Sequence, residues 1–155
     1  MPTSKTSAGI LVYRKEEDVL QFLLVHPGGP FWKNKDLGVW SIPKGEIHDG
    51  EDLLITAKRE FEEETTFKLD GIFTPLGSIT QKSGKIVHAW ATKADLDVTE
   101  IKSNTCRVEW PPRSGDLIEI PEIDRGEYFD IETAKQKINP AQTPFLDKVE
   151  LIISK

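Results

Sequence analysis

GEIHDGEDLLITAKREFEEETTF, residues 45–67, is the stretch on which the reading of the whole chain turns. Asp49 suits the N-cap of a helix opening near Gly50, with Glu51 and Asp52 in its first turn. Apolar residues at helical spacing carry that helix to about Thr65. Four of the five residues from Glu60 to Glu64 are glutamates, at the carbonyl end of the helix. The helix dipole is negative there, so the dipole and mutual repulsion both oppose them. At roughly 100° per residue with Ala57 as zero, Leu53, Phe61 and Leu54 form one apolar stripe at about −40°, +40° and +60°. Glu60 and Glu64, at about −60° and −20°, lie on or beside it. Glu63 flanks the stripe at about −120°, and Glu62, at about +140°, faces solvent.

A carboxylate at the edge of a buried face is costly unless an ion pair or a metal compensates it. Within the helix only Lys58 and Arg59 are cationic, too few for this cluster. Hard oxygen donors one turn apart, with a third beside them, are what Mg²⁺ or Mn²⁺ accepts. A solvated acidic face is the commoner fate of an acid run, but the wheel positions of Glu60 and Glu64 speak against it.

Outward from the helix, SAGILVYRK and VLQFLLVHP, joined by EED, read as a strand hairpin. PGGPFWKNKDLGVW reads as a surface loop carrying two tryptophans, and WSIPKGE as a short strand entering a turn. PLGSITQ and KIVHAWATKAD flank a Lys-Ser-Gly-Lys turn as a second hairpin. Residues 101–121 read as irregular, broken by Pro111, Pro112 and Gly115. GEYFDIETAKQKI gives a strand end and a helix stopped by Asn139-Pro140, and TPFLDKVELIIS is a last amphipathic helix. Hairpins with helices between and after them predict an α/β sandwich around a mixed sheet.

The 155 residues make, most simply, one domain over 1–155 with enough chain to bury a core. With 37% hydrophobic and 30% charged residues, a folded soluble protein is expected rather than a disordered one. A net charge of −6 argues against extended nucleic-acid binding through a basic surface and against a polybasic membrane contact. It does not exclude a phosphate substrate, because a bound cation reverses the local sign. Cys106 is the only cysteine, so neither an intrachain disulfide nor a thiolate cluster can form. His26, His48 and His88 lack the spacing of a zinc site. The apolar patch near the N-terminus is too short for a signal-peptide core or a membrane span, and the cytoplasm is the expected location.

The order Gly45, five residues, Glu51, seven residues, Arg59-Glu60-Phe61-Glu62-Glu63-Glu64-Thr65, then Thr66 and Phe67, resembles the Nudix box. Eight of its nine specified positions match; Thr66 stands where the family has a glycine that ends the helix with a left-handed residue. The first hairpin, the Pro-Lys-Gly-Glu entry, the last helix and the acidic residue before Tyr128-Phe129 also fall where that family has them. The resemblance implies a Nudix-type α/β/α sandwich around a mixed β-sheet. It implies hydrolysis of a nucleoside diphosphate linked to another group, a nucleotide-sized small molecule, with Mg²⁺ or Mn²⁺ as cofactor. A homodimer is left open.

By the same resemblance Glu60, Glu63 and Glu64 ligate the metal, with the Gly45 carbonyl beside them. Arg59 fixes a helix glutamate by a charge-assisted pair, and Glu51 supports the loop or the metal shell. The family often supplies a further glutamate as general base from beyond the second hairpin; Glu122 is the candidate, with Glu119 and Glu127 as competitors. Lys44, at the mouth of the loop, suits a phosphate. Among Trp32, Trp40, Trp90 and Trp110, Trp40 is preferred for stacking on a base because it is nearest the loop.

WSIPKGE looks like the entry segment of hydrolases of dinucleoside polyphosphates or diphosphoinositol polyphosphates. Lys85 stands where dinucleoside polyphosphate hydrolases sometimes carry a tyrosine, and the acidic surface disfavours an inositol phosphate unless Lys33, Lys35 and Lys44 converge. A nucleoside triphosphate or dinucleoside polyphosphate is the expected substrate. The rivals are a nucleotide-sensing module without turnover, expected to have lost a helix ligand, and a structural Ca²⁺-holding helix.

Overall fold

A computed structural model describes residues 5–153. Thr6–Glu16 (β1) and Val19–Pro27 (β2) form the first hairpin, from Tyr13 against Phe22 to Glu16 against Val19. Its two-residue turn, Glu17 and Asp18, has φ of 50° and 67°, the left-handed pair that matches the strand twist. Lys44–Glu46 (β3) pairs antiparallel with residues 7–9 of β1 and leads into the helix Leu53–Thr65 (α1). Thr74–Thr80 (β4) and Ile86–Lys93 (β5) form the second hairpin.

Thr105–Glu109 (β6) and Leu117–Pro121 (β7) pair as a separate two-stranded ribbon. This corrects the expectation that 101–121 is irregular. Cys106, Val108, Ile118 and Ile120 are half-buried while Thr105, Arg107, Glu109, Leu117 and Glu119 alternate with them in the open, a period-2 pattern. The prolines and Gly115 that seemed to break the segment lie in its turn. Ile123–Asp130 (β8) follows, then the helices Ile131–Lys137 (α2) and Thr143–Ile153 (α3). Ser154, included in the expected last helix, lies outside the described residues.

The main sheet runs β4-β5-β1-β2-β8, with β3 beside β1. The β1–β5 pair is parallel and the other pairs are antiparallel. Successive β1 side chains point to opposite faces. Ala8, Ile10 and Val12 pack with Leu23 against Ala57 and Phe61 of α1. Leu11, with Phe22 and Leu24, packs against Ala134, Phe145, Leu146 and Val149 of α2 and α3. The result is the expected three-layer α/β/α arrangement. Covering both faces explains why the middle of β1 is buried throughout. Burial of each Leu or Phe supplies about 1.5–3 kcal/mol.

The helix α1 starts three residues later than expected: Asp52, not Asp49, is its N-cap, and Glu51 lies before it. The Asp52 carboxylate accepts from the amides of Leu54 (3.1 Å) and Ile55 (3.2 Å), satisfying donors that have no partner within the helix. At the other end Thr66 takes φ 75° and ψ −12° and donates its amide to Glu62. The threonine therefore adopts the left-handed exit that glycine makes at lower cost. Among the described residues no helix is long and apolar enough to cross a membrane.

Candidate active site

Starting the helix at Asp52 leaves Glu51 on the approach to it, aimed at Arg59. The Glu51 carboxylate receives Arg59 Nε and Nη2, each at 3.0 Å, and the Thr56 hydroxyl at 2.7 Å. This fork holds the Glu51 carboxyl at about 2, through Arg59 first and Thr56 second. The same guanidinium donates Nη1 to Glu60 Oε1 at 3.0 Å and to Glu63 Oε1 at 3.2 Å, and Glu51 above all keeps it charged. One arginine thus serves three carboxylates, and it holds one oxygen of Glu60 and one of Glu63.

Glu64 points the other way. It is 8% exposed, buried against the sheet where β3 passes. Burial, then the charges of Glu122 and Glu60, push its carboxyl well above the usual range, opposed only by Lys44, whose ammonium and backbone amide both face it. Lys44 is itself lowered by burial and by Lys85. Glu60 is raised by burial and then by Glu63, despite the help of Arg59. Glu122 is raised by burial and then by Glu63. Lys44, Glu64 and Glu122 line one cleft of about 150 Å³ with Ser41, Pro27 and Val39.

Backbone contacts bring Glu122 here from β8's approach. Residues 102–104 run along the end of α1, with the Lys102 amide donating to the Thr65 carbonyl (3.2 Å) and the Asn104 amide to the Glu63 carbonyl (2.9 Å). The Asn104 carbonyl then accepts the Glu122 amide at 3.0 Å, and the Ser103 hydroxyl accepts the Ile123 amide at 3.0 Å. Sequence reasoning missed Ser103 and Asn104, because main-chain pairing leaves no side-chain signature. The competitors for Glu122 are directed elsewhere: Glu119 receives the Thr105 hydroxyl at 3.1 Å, and Glu127 lies 3.8 Å from Arg125.

Gly45 and Glu60 are fitted to one another. A Cβ on residue 45 would stand 2.0 Å from the Glu60 Cδ, so a side chain there would evict the glutamate. Glu62 is exposed, as the wheel predicts. Lys85 pairs with Glu46 at 3.8 Å, and the Lys35 ammonium sits 4.1 Å from the Phe31 ring centroid, so these two lysines serve separate contacts from Lys44.

Trp40 corrects an expectation. It lies not on the surface but in the core at 1% exposure, bridging to Ile138 and packed edge-on against His26 and Phe129 at 5.1 Å. Its indole nitrogen donates to Asp36 at 2.8 Å. Its ring is already enclosed by protein, which leaves no face for a nucleobase.

The donor set fits a hard divalent cation. Glu60, Glu63 and Glu64 offer carboxylate oxygens, Gly45 a carbonyl, and the inward-facing charges of Glu64, Glu60 and Glu122 exceed what Lys44 compensates. Among the described residues no three acidic, histidine or cysteine side chains stand in closed ligand geometry. One oxygen each of Glu60 and Glu63 is directed to Arg59, and Glu64 is turned inward.

A family model described as the NUDIX domain matches residues 3–149. Nudix hydrolase 7 of Arabidopsis thaliana is 30% identical over 111 residues, 68% of this chain, and the chain spans 38% of that relative's length. Among solved structures, an Ap4A hydrolase binary complex of C. elegans superposes with a TM-score of 0.66 at 22% identity, covering 97% of this chain and 98% of that one. The NUDIX domain of Shewanella oneidensis NrtR complexed with ADP-ribose gives 0.69 at 12% identity, covering 99% and 90%. These two likenesses show the fold.

Proposed function

The chain belongs to the Nudix family, and on that premise we propose that it is a divalent-metal-dependent hydrolase, one domain over residues 1–155. Its proposed reaction is cleavage of a pyrophosphate bond in a nucleoside diphosphate linked to another group, a nucleoside triphosphate or a dinucleoside polyphosphate. The observation that carries the reading is the split in the acidic cluster: Arg59 serves Glu51, Glu60 and Glu63, while Glu64 and Glu122 share a cleft with Lys44.

Glu60, Glu63, Glu64 and the Gly45 carbonyl would hold Mg²⁺ or Mn²⁺. Bound there, the ion would screen the anionic phosphate oxygens and make water a better nucleophile at neutral pH. Arg59 keeps Glu60 and Glu63 oriented, and Glu51 in turn fixes Arg59. Lys44 supplies a point charge for a phosphate at the cleft. Glu122, raised by burial and by Glu63, is suited to take a proton from water as general base.

The test is a panel of nucleoside triphosphates, dinucleoside polyphosphates and ADP-ribose with Mg²⁺ or Mn²⁺, products resolved by chromatography. Wild type is expected to release a nucleoside monophosphate or diphosphate only with metal, and Glu63→Gln to release none. Glu122→Gln should lower turnover by about 10²–10⁴-fold while manganese and nucleotide still bind. A wild type that binds nucleotide and metal yet cleaves nothing in the panel would be a sensing module instead.

A further inference from the structure

A second cavity lies beside the glutamate cleft, and its chemistry is opposite. It measures about 260 Å³ and is walled on one side by the loop after β2, with Phe31 and Trp32, and on the other by the β6–β7 ribbon, with Val108, Trp110 and Ile120. The two cavities adjoin along the chain: Pro27 lines the first and Gly28 the second, and the Gly28 amide donates to the Glu122 carbonyl at 3.0 Å. Glu109 is the only charged residue in the lining, and its two carboxylate oxygens accept the amides of Arg113 (2.8 Å) and Gly115 (3.2 Å) within the ribbon's turn. A phosphate finds no cation in this lining; a flat apolar ring finds three aromatic ones.

The rings are held for contact rather than packed away. Phe31 is 54% exposed, and Trp32 and Trp110 are half-buried. Phe31 and Trp32 meet edge-to-face at 4.7 Å, and the Lys35 ammonium lies over Phe31. The loop is anchored at its far end by His26, which donates Nε2 to the Lys35 carbonyl at 2.6 Å and faces Asp124 through Nδ1 at 2.9 Å. The volume falls just below the roughly 300–1,000 Å³ typical of whole small-molecule pockets, which suits one ring system whose remainder continues next door.

We infer that this aromatic pocket, between Trp32 and Trp110, binds the nucleobase of the substrate whose phosphates lie in the adjoining Lys44–Glu64–Glu122 cleft. The inference rests on the proposed nucleotide-hydrolase reading and adds the base subsite to it. It also sets specificity. Every base has a π-face on which an aromatic ring can stack, whereas telling bases apart requires polar groups at their edges. Beyond the engaged Glu109 the lining side chains offer only the indole N–H groups of Trp32 and Trp110, donors alone and no free acceptor, so recognition here discriminates weakly between bases.

Calorimetric titration of AMP, GMP, CMP and ribose 5-phosphate into the wild-type protein tests this without turnover. The three nucleotides should bind within about tenfold of one another, and ribose 5-phosphate at least about tenfold more weakly. Trp32→Ala and Trp110→Ala should each weaken AMP about tenfold or more and raise KM with little change in kcat, with Trp110→Phe restoring binding and Trp90→Phe leaving it unchanged. Photocrosslinking of wild type with 8-azido-AMP should label residues 28–32 or 108–112, and needs no variant to fold. Labelling confined to other segments, or AMP no tighter than ribose 5-phosphate, overturns the subsite. Base-dependent binding lost in Trp110→Ala, with no cleavage of any substrate, would keep the subsite and remove the hydrolase. Cleavage with KM unchanged in both alanine variants would do the reverse.

Discussion

The two ends of α1 follow opposite rules. At the start, Asp52 caps two amides and Glu51 forms a fork with Arg59, so each acid has a donor. At the finish, Glu64 is buried among like charges and the chain leaves through a threonine with φ 75°. The first arrangement stabilises a helix, and the second destabilises one. A helix built for stability alone would not place its best-compensated acid at the end where the dipole already favours acids and its worst-compensated acids where the dipole opposes them. The contrast is what the proposed metal-binding role of the C-terminal end predicts, and it can be broken or sharpened one residue at a time.

The largest effect belongs to Glu64→Gln. It removes a proposed metal ligand, so turnover should fall below detection and the rise in unfolding temperature that manganese gives wild type should largely disappear. In buffer with chelator, however, the variant should be more stable by about 1 kcal/mol, because it exchanges a poorly compensated buried charge for an amide of the same shape. For a chain of this size that is about 2–4 °C in Tm. A variant that melts lower than wild type without metal would mean that Glu64 is already well compensated, and the contrast between the helix ends would fail.

Next comes Arg59→Lys. A lysine keeps the charge but cannot present a planar fork to Glu51 and a third donor to Glu60 and Glu63 together. Manganese affinity or turnover should fall about 10–100-fold, with some loss of stability. Full activity in the lysine variant would show that orientation of the glutamates does not depend on the guanidinium geometry.

How these residues were legible in the chain follows from whether local periodicity or tertiary contact decides them. The wheel angle of each glutamate is local, and burial of Glu64, half-burial of Glu60 and exposure of Glu62 follow it. The helix start is not legible from cap type alone: Asp49 and Asp52 are equally good caps, but Gly50 takes φ 75°, outside helical geometry, so the helix opens at Asp52 and leaves Glu51 before it, paired with Arg59. The β6–β7 ribbon was hidden because its apolar face is only half-buried and its turn is rich in breaking residues. Trp40 closes a segment whose glycines and prolines read as a surface loop, whereas Trp40 bridges to Ile138 and the adjacent Ser41 to Val25, contacts from far along the chain that carry the ring into the core. The place of Glu122 before the last strand is legible in the chain; what carries it to the glutamates is main-chain pairing with Asn104, which no side-chain pattern reports.

At the stabilising end of α1, Asp52→Ala removes the cap from Leu54 and Ile55. It should cost about 1 kcal/mol, within a range of about 0.5–2, read as a lower denaturant midpoint with unchanged m-value. Metal affinity and kcat should stay at the wild-type level, since Asp52 touches neither Arg59 nor the cleft. If turnover falls along with stability, the two ends are coupled more tightly than their hydrogen bonds indicate.

The smallest expected effect is at Thr66, and its sign is informative. A β-branched residue with φ 75° is held where its own Cβ crowds the backbone, at about 1–2 kcal/mol. Glycine avoids that crowding but loses more conformational freedom on folding, so Thr66→Gly should stabilise by about 0.5–1 kcal/mol net. Thr66 is exposed and its amide still reaches Glu62, so no packing or hydrogen bond offsets the gain. Chemical denaturation of the two proteins in the presence of chelator measures it directly. A destabilised glycine variant would show that the threonine side chain contributes to the exit from the helix, and the strain assigned to this end would have to be found in the glutamates alone.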